Sequence, residues 1–323
     1  MPLIVLGLDI GGANLKAATV DKRALSVPFA LWKQPDRLPA LLAELVARFP
    51  DAEQLAVTMT GELCDCYETK RQGVNAILDA VEFAAHGRTV RVWSVEGGFR
   101  NLAESREQFL RVAASNWHAL ATFAGRFAPN GDGLLIDIGS TTTDVIPLFY
   151  GIPATRGLTD FERLRTGELV YLGVRRTPVC AMISEKTAAE LFATTEDVFI
   201  VLGMLPEDPT DRDTADNRLA TSEYALARLA RMIGGDRETL RDDEIIRFAE
   251  TVHERIRERV AGAVRGSGFH TAIVSGEGEF LARQAIAGTS VQRIVSLNAE
   301  LGPEVSACAP AYALAVLGTE MES

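Results

Sequence analysis

The sequence is poor in cysteine, with four residues in a chain of 323. So few cysteines in a chain of this length do not form a disulfide scaffold. Cys64 and Cys66 are separated by a single residue, which is closer than the usual spacing of zinc ligands, and Cys308 falls in an apolar helical stretch. We therefore interpret the cysteines as reduced thiols in or near the core, where free cysteine commonly lies, with a metal–thiolate site as the alternative.

Long apolar runs and an excess of positive charge are also missing. No hydrophobic stretch approaches the roughly 20 residues that span a bilayer. The N-terminal segment, which includes Asp9 and Lys16, lacks the basic, apolar and small-residue pattern of a signal peptide. The net charge of −11 argues against nonspecific nucleic-acid binding. We therefore expect a cytoplasmic protein whose partners are small molecules rather than nucleic acid or a membrane.

The hydrophobic pattern predicts two α/β units. A chain of 323 residues that is 47% hydrophobic can bury a large core and has the length of two domains. The apolar period alternates between two and about 3.6 up to a break at Pro129-Asn130-Gly131, after which the order begins again. We predict domains at 1–130 and 131–323 with a cleft between them, and a mostly helical insertion at about 157–267.

The individual elements follow from the same periods. Alternating strands and helices imply mixed sheets with helices on both faces. The predicted strands are Leu3–Ile10, Leu15–Val20, Val27–Trp32, Leu55–Thr60, Val90–Val95, Leu134–Ile138, Thr143–Leu148, Thr271–Val274 and Val291–Ser296. The predicted helices are Leu38–Phe49, Val74–Ala85, Gln108–Ala113, Trp117–Phe127, Ser222–Ile233, Asp242–Val264, Phe280–Ala287 and Cys308–Leu317.

One strand-turn-strand pattern occurs twice. An apolar strand ends in Asp9-Ile10-Gly11 and again in Asp137-Ile138-Gly139, and a polar turn and a second strand follow each. We name residues 11–14 the first glycine turn and residues 139–142 the second glycine turn. Glycine lets the backbone turn tightly and bring its N–H groups close to an anion. Two such turns facing each other predict a clamp for metal-bound phosphate.

Each residue of the two turns has an expected role. The aspartates are placed to hold Mg²⁺, which takes few carboxylates and keeps several waters. Lys16 could add a point charge if it faces the cleft, or it could be a surface lysine. The candidate metal ligands are Asp9 and Asp137, and the candidate phosphate-binding residues are Gly11, Gly12, Asn14, Lys16, Gly139, Ser140, Thr141 and Thr142.

A further glycine-rich turn, residues 275–278, follows a strand and opens a helix; we name it the third glycine turn. A helix N-terminus after a strand is a position where anions and nucleotides bind. Glu277 and Glu279 make the turn acidic, which suits a substrate ammonium at least as well as a nucleotide. Whether ATP binds is therefore left open. The candidate substrate-binding residues here are Ser275, Gly276 and Gly278.

Three glycine turns in this order resemble the superfamily of sugar kinases, heat-shock ATPases and actin. The resemblance covers the whole chain and implies two ribonuclease-H-like domains with ligand between them. It does not imply one activity, because members of this group phosphorylate, hydrolyse or only bind nucleotides. An ATP-dependent kinase or hydrolase and a nucleotide-switched binding protein therefore stand as alternatives, and a homodimer is left open.

A narrower resemblance is to proteins linked to tetrahydromethanopterin-dependent one-carbon metabolism, which are grouped with hydantoinase A and oxoprolinase. It implies a Mg²⁺-dependent transferase of methanofuran or methylofuran biosynthesis. That reaction joins a tyramine-type phenol to an aminomethylfuran carrying a CH2-diphosphate and releases pyrophosphate. The matching stretches are Asp9–Asn14, Thr58–Leu63, Thr69–Arg71, Asn116-Trp117, Ile136–Asp144, Thr159-Asp160, Gly167–Tyr171, Arg176-Thr177 and Phe192–Val198.

The implied reaction needs a base and a site for the acceptor. A phenol has an unperturbed pKa near 10, so at neutral pH a positioned base assists its attack. Each acid could instead cap a helix or bond the backbone, and the arginines could lie on the surface of the insertion. The candidate catalytic acids are Glu62, Asp144, Asp160 and Glu168, beside Asp9 and Asp137. The other candidate substrate-binding residues are Lys70, Arg71, Asn116, Arg163 and Arg176, with Arg175 as a further partner for an acceptor carboxylate.

Overall fold

The computed structural model describes residues 3–264 and 268–321. The strands are β1 Val5–Ile10, β2 Asn14–Ala18, β3 Ala24–Pro28, β4 Gln54–Met59, β5 Thr89–Trp93, β6 Phe99–Arg100, β7 Asp132–Ile138, β8 Thr143–Phe149, β9 Ile152–Pro153, β10 Leu169–Val170, β11 Thr271–Ser275 and β12 Arg293–Ser296. The helices are α1 Leu38–Ala47, α2 Lys70–Ala85, α3 Leu102–Glu107, α4 Phe109–Val112, α5 Asn116–Ala124, α6 Asp160–Thr166, α7 Thr195–Val201, α8 Ser222–Met232, α9 Asp242–Val264, α10 Glu279–Ile286, α11 Leu297–Leu301, α12 Pro303–Ser306 and α13 Ala309–Met321.

The strands form two sheets of matching order. The first runs β3-β2-β1-β4-β5-β6, and the second runs β10-β8-β7-β11-β12 with β9 paired to β8. In both, a central strand pairs antiparallel with the strand after it and parallel with a later strand. The repeated Asp-Ile-Gly pattern therefore lies at corresponding places, at the end of β1 and at the end of β7.

Helices cover the two outer faces. Helices α1 and α2 pack together and against the first sheet, with Leu42, Ile77 and Val81 among the buried side chains. Helices α9 and α10 contact β8 and β7 of the second sheet and bury Val252 and Leu281. This arrangement leaves one face of each sheet for the space between them.

Helices α5 and α13 fill the space between the sheets. Trp117 of α5 and Tyr312 of α13 share a buried cluster with Leu135 of β7 and Ile273 of β11. Helix α13 also packs on β1 so closely that a Cβ at Gly7 would lie 1.8 Å from the carbonyl oxygen of Ala311. The last helix thus crosses the predicted division at residue 130, and that division itself stays a prediction.

The region predicted as an insertion contributes to the second sheet as well as to a helical unit. Helices α7, α8 and α9 pack on one another, whereas β10 pairs antiparallel with β8 at Leu169↔Asp144 and Val170↔Thr143. A two-residue strand is too short to produce a period-two pattern, which is why the sequence did not predict it. The predicted end of the insertion near residue 267 lies outside the described residues.

Most predicted elements occur with shifted ends. Helix α9 has the predicted bounds, while β3 lies at 24–28 rather than 27–32 because the chain after it turns back to the first glycine turn. There the Phe29 N–H donates to Ala13 O at 2.9 Å and the Leu31 N–H to Gly12 O at 2.9 Å. In the described part of the chain, no helix is both long enough and apolar enough to cross a membrane.

Candidate active site

The first and second glycine turns are closed by the same hydrogen bond. The Gly11 N–H donates to Asn14 O at 3.0 Å, and the Gly139 N–H donates to Thr142 O at 2.9 Å. Each bond joins residue i to residue i+3 directly after a strand whose penultimate residue is aspartate. The sequence repeat is therefore also a structural repeat.

Asp9 and Lys16 face each other beside the first glycine turn. They are direct partners in the antiparallel pairing of β1 and β2, so their side chains leave the same face of the sheet. Asp9 is buried, and its Oδ1 has no hydrogen-bond partner among the described residues. Burial raises the pKa of Asp9, and the charge of Lys16 opposes that rise. Lys16 therefore faces the site rather than solvent alone.

Asp137 occupies the corresponding position beside the second glycine turn. It lies opposite Asp144 of β8 and opposite Ser275 of β11. Burial and then the charge of Asp144 raise the pKa of Asp137 to about 6, with Asp9 raising it further and Lys16 lowering it. Asp9, Lys16 and Asp137 are thus within electrostatic reach of one another, although they belong to different sheets.

The third glycine turn packs directly on Asp137 and Ile138. Gly276 has a φ of +83°, and a Cβ there would lie 2.3 Å from Ile138 O and 2.9 Å from Asp137 Oδ1. The Gly278 N–H donates to Ile138 O at 2.9 Å. Glycine is required at 276 both for its backbone conformation and for this close approach. The turn thereby holds the second aspartate in place.

The acidic residues in the third glycine turn and directly after it are already paired. Glu277 accepts from Arg175 Nε at 2.7 Å, and Arg175 also pairs with Glu196. Glu279 accepts from the Ser296 hydroxyl at 2.6 Å and from the Asn298 N–H at 3.0 Å. These partners disfavour the expectation that Glu277 and Glu279 meet a substrate ammonium, and likewise the expectation that Arg175 meets an acceptor carboxylate.

Arg163 connects the site to α6. Its Nη2 donates to Asp144 Oδ1 at 2.6 Å, and its Nη1 lies 3.7 Å from Asp160 Oδ1. The guanidinium carbon lies 4.0 Å from the centre of the Trp117 ring, and the side chain is only 1% exposed. A buried, paired and stacked arginine orients its neighbours, so we assign Arg163 to positioning Asp144 and Asp160 rather than to an exposed surface.

Glu62 and Lys70 form a second charged pair nearby. Lys70 Nζ lies 3.4 Å from Glu62 Oε1, while Glu62 Oε2 is buried and without a hydrogen-bond partner in the described chain. Burial raises the pKa of Glu62 to about 7; Lys70 lowers it and the charge of Asp160 raises it. Asp160 also interacts electrostatically with Asp144, and Asp144 does so with Asp137. The four acids Glu62, Asp160, Asp144 and Asp137 therefore form a continuous charged series.

Three of the predicted site residues do not belong to this charged series. The Glu168 carboxylate accepts from the backbone N–H groups of residues 156 and 157 and from the Thr166 hydroxyl, which favours a structural role. Arg71 stacks on Phe109 at 3.9 Å and donates to a backbone carbonyl on α3. Asn116 is the first residue of α5, directly before Trp117.

Arg176 and Trp32 are in contact, although they lie far apart in the chain. The guanidinium carbon of Arg176 lies 4.9 Å from the centre of the Trp32 ring, and Arg176 Nη2 lies 3.9 Å from Asp213 Oδ2. Sequence reasoning missed Trp32, because it comes after the hairpin and belongs to no motif. Its only sequence signal is a large aromatic residue that follows the first glycine turn by one strand pair.

The unpaired buried atoms are concentrated at the site. In native structures almost all buried polar atoms have partners, so such groups indicate a ligand or ordered water. Within residues 3–264 and 268–321 they include Asp9 Oδ1, Glu62 Oε2, Trp117 Nε1 and Arg163 Nε.

Metal binding can be judged from the same groups. The described residues contain no group of three or more His, Cys, Asp or Glu side chains that could hold a metal ion. All four cysteines are free thiols. Magnesium needs only one or two carboxylates, so the orphaned Asp9 Oδ1 and the electrostatically coupled Asp137 are compatible with it.

The comparison with protein families decides the assignment. The hydantoinase/oxoprolinase family model matches residues 53–321. The chain belongs to the hydantoinase/oxoprolinase family. The match runs from β4 to the end of α13 and includes the second and third glycine turns. The predicted membership is therefore confirmed.

Two proteins that are similar in sequence to this chain carry the same specific name. A Methanocaldococcus jannaschii protein named (4-{4-[2-(gamma-L-glutamylamino)ethyl]phenoxymethyl}furan-2-yl)methanamine synthase is 34% identical over 332 residues, which covers 98% of each chain. A Methanococcus vannielii protein of the same name is 30% identical over 200 residues, which covers 57% of this chain and 89% of that one.

A solved structure supports the architecture. The nucleotide-free acetone carboxylase superposes with a TM-score of 0.60 at 12% identity, covering 98% of this chain and 70% of that chain. At this identity the likeness concerns the fold alone. The chain therefore shares the overall fold of that carboxylase, and the predicted α/β architecture is confirmed by two mixed sheets of matching order.

Proposed function

We propose that this protein joins an aminomethylfuran-methyl group from a diphosphate donor to the phenolic oxygen of a tyramine-type acceptor, with release of pyrophosphate, in methanofuran or methylofuran biosynthesis. The named relative that aligns over 98% of both chains supports the reaction class. The observation that carries the proposal is the placement of Asp9, with Lys16 opposite it, and of Asp137 at corresponding positions beside two turns of the same geometry.

The two glycine turns and Lys16 would bind the leaving group. Diphosphate leaves poorly until its negative charge is neutralised by preorganised donors and cations. Backbone N–H groups of the turns and the Lys16 ammonium supply such donors. Asp9 and Asp137 would hold Mg²⁺, which when bound contributes further charge neutralisation.

Glu62 is the base in this proposal. As the phenolic oxygen bonds to the furanylmethyl carbon, the bond from that carbon to the diphosphate oxygen breaks and pyrophosphate departs. The phenolic proton passes to Glu62 Oε2, which has no partner in the described structure. A pKa of about 7 suits a base that works near neutral pH. Asp144 and Glu168 fit less well, because Arg163 and three hydrogen bonds occupy them.

ATP has no required place in this reaction. The donor already carries its leaving group, so no phosphoryl transfer is needed to activate it. The ion pair of Glu277 with Arg175 at the third glycine turn also occupies groups that a nucleotide would meet. We therefore propose that ATP is not consumed.

The experiment uses the purified full chain with the aminomethylfuran diphosphate and either tyramine or γ-glutamyltyramine, with and without Mg²⁺. We expect one equivalent of pyrophosphate for each ether formed, measured by coupled phosphate detection and mass spectrometry. Turnover should stop when the donor is replaced by the corresponding alcohol. Absence of product together with ATP hydrolysis on a cyclic amide would instead favour a hydrolase.

A further inference from the structure

Arg176 is linked by contacts to both the first and the second glycine turn. Its backbone N–H donates to Ser140 O of the second glycine turn at 2.9 Å. Its side chain stacks on Trp32, and the residue before Trp32 donates its N–H to Gly12 O of the first glycine turn. The positive charge of Arg176 also reaches the Cys64 thiol, whose Sγ would lie 2.7 Å from a Cβ at Gly12. Arg176 therefore links the two turns, through its backbone to the second and through Trp32 to the first.

The guanidinium of Arg176 has donors to spare. Its ion-pair partner Asp213 lies at 3.9 Å, which is beyond hydrogen-bond distance, and the Asp213 side chain is 70% exposed. By contrast, Arg163 and Arg175 each donate directly to carboxylates. Stacking on an aromatic face fixes the guanidinium plane and leaves its edge for oxygen ligands. The Arg176 guanidinium is thus preorganised to bind an anion.

We propose that Arg176, held in place by Trp32, clamps the diphosphate of the donor rather than the carboxylate of the acceptor. The identity of the donor rests on the proposed function. Trp32 acts as a positioning residue, because it touches the guanidinium and not the phosphate. Asp213 supplies a weak counter-charge that the diphosphate displaces.

The position of Arg176 favours diphosphate over a carboxylate. Two linked phosphoryl groups are long enough to meet both glycine turns, and a guanidinium between the turns can donate in bidentate fashion to both groups. A carboxylate has one charge and two oxygens, and it would use neither turn. The clamp therefore predicts that pyrophosphate binds more tightly than inorganic phosphate.

Isothermal titration calorimetry of the full chain with magnesium pyrophosphate tests the clamp. We expect Arg176→Gln to weaken binding about 10- to 100-fold, which is the usual loss for a charged hydrogen-bonding pair, and Arg176→Lys to weaken it less. We expect Trp32→Leu to weaken binding about 2- to 5-fold through loss of the cation–π contact, and Trp32→Phe to restore most of it.

A matched control lies elsewhere in the chain. Arg218 lies 5.7 Å over the Tyr224 ring, so it has the same kind of stacking but sits before α8, in the predicted insertion. Arg218→Gln should leave pyrophosphate affinity unchanged. A pyrophosphate affinity within twofold of the wild type in Arg176→Gln would overturn the proposal.

Steady-state kinetics separates the two anions. Arg176→Gln should raise the KM of the diphosphate donor and leave the KM values of tyramine and γ-glutamyltyramine unchanged. If the KM rises only for γ-glutamyltyramine, which carries the carboxylate, Arg176 belongs to the acceptor site and the clamp is wrong. If pyrophosphate binding depends on Arg176 but the wild type forms no ether, the clamp stands and the proposed function fails.

Discussion

Lys16 lies directly opposite Asp9 across β1 and β2, and its charge also reaches Asp137 at the end of β7. One ammonium thus serves two carboxylates that belong to different sheets. One positive charge near two acids reduces their mutual repulsion and leaves a net negative charge that a divalent cation can neutralise. Loss of the Lys16 charge should therefore affect both Asp9 and Asp137.

We expect Lys16→Met to raise the KM of the diphosphate donor about 10- to 100-fold, because a charged contact to phosphate is lost. Lys16→Arg should retain part of the affinity. Initial rates at varied donor concentration measure the effect. Lys22→Met is the matched control, since Lys22 is exposed and makes one long bond to a backbone carbonyl. Equal effects in the two methionine variants would remove Lys16 from the site.

Asp9→Asn and Asp137→Asn should separate activity from stability. We expect turnover to fall at least about 100-fold, a typical loss when a preorganised electrostatic group is removed. The midpoint of thermal unfolding at pH 7.5 should stay equal or rise, because burial raises the pKa of both aspartates and makes their ionised forms costly in the folded state. Parallel losses of turnover and of unfolding midpoint would assign the aspartates to structure alone.

Glu62 should give the protein a pH-dependent stability. Its pKa rises from 4.5 to about 7 on folding, so the folded state holds the proton that the unfolded state releases. Stability is therefore greatest below about pH 4.5 for this group, falls as the pH rises toward 7 and stays low above it. The fall amounts to at most about 3 kcal/mol. Denaturant unfolding at pH 5 and pH 8 should show this fall in the wild type and lose it in Glu62→Gln.

Glu62 should also determine the acidic limb of the pH–rate profile. A base must be deprotonated, so kcat should rise with pH through a midpoint near 7 in the wild type. Glu62→Gln should lower kcat about 100- to 10,000-fold and abolish that limb. Glu68→Gln, an exposed acid in the same segment, is the control and should change neither property. An unaltered limb in Glu62→Gln would point to another base.

Gly276→Ala should damage both folding and catalysis. The added Cβ would lie 2.3 Å from Ile138 O and 2.9 Å from Asp137 Oδ1, so the aspartate or the turn must shift. Gly288→Ala is the control, because Gly288 also has a positive φ but opens on free space. We expect both to lose about 1–3 kcal/mol from backbone strain, with a further loss of activity in Gly276→Ala only. Pyrophosphate release and thermal unfolding of both variants test this, and equal activity would show that the turn does not position Asp137.

Local features of the site were predictable from the sequence. Asp9 and Asp137 are the penultimate residues of strands that lead into glycine turns, and that arrangement depends on residues adjacent in the chain. The bounds of α9 were also predictable, because its apolar stripe repeats over six turns. A helix can be predicted when its apolar period repeats over many residues, and a turn can be predicted when it depends on residues adjacent in the chain.

Contacts between distant segments were not predictable. Glu277 and Arg175 are 102 residues apart, and nothing in either segment indicates their ion pair. Trp32 likewise meets Arg176 only because the chain after β3 turns back to the first glycine turn. Short elements such as β10 escape pattern analysis for a different reason, since two residues define no period.

Helix α13 covers β1, yet it is the last described element of the chain and β1 is the first. The inner face of the strand that bears Asp9 is therefore covered only when residues 309–321 have packed on it. A partly folded chain in which α13 has not docked would expose Gly7 and its apolar neighbours to solvent. Docking of α13, rather than pairing of the first sheet alone, thus completes the support of this aspartate.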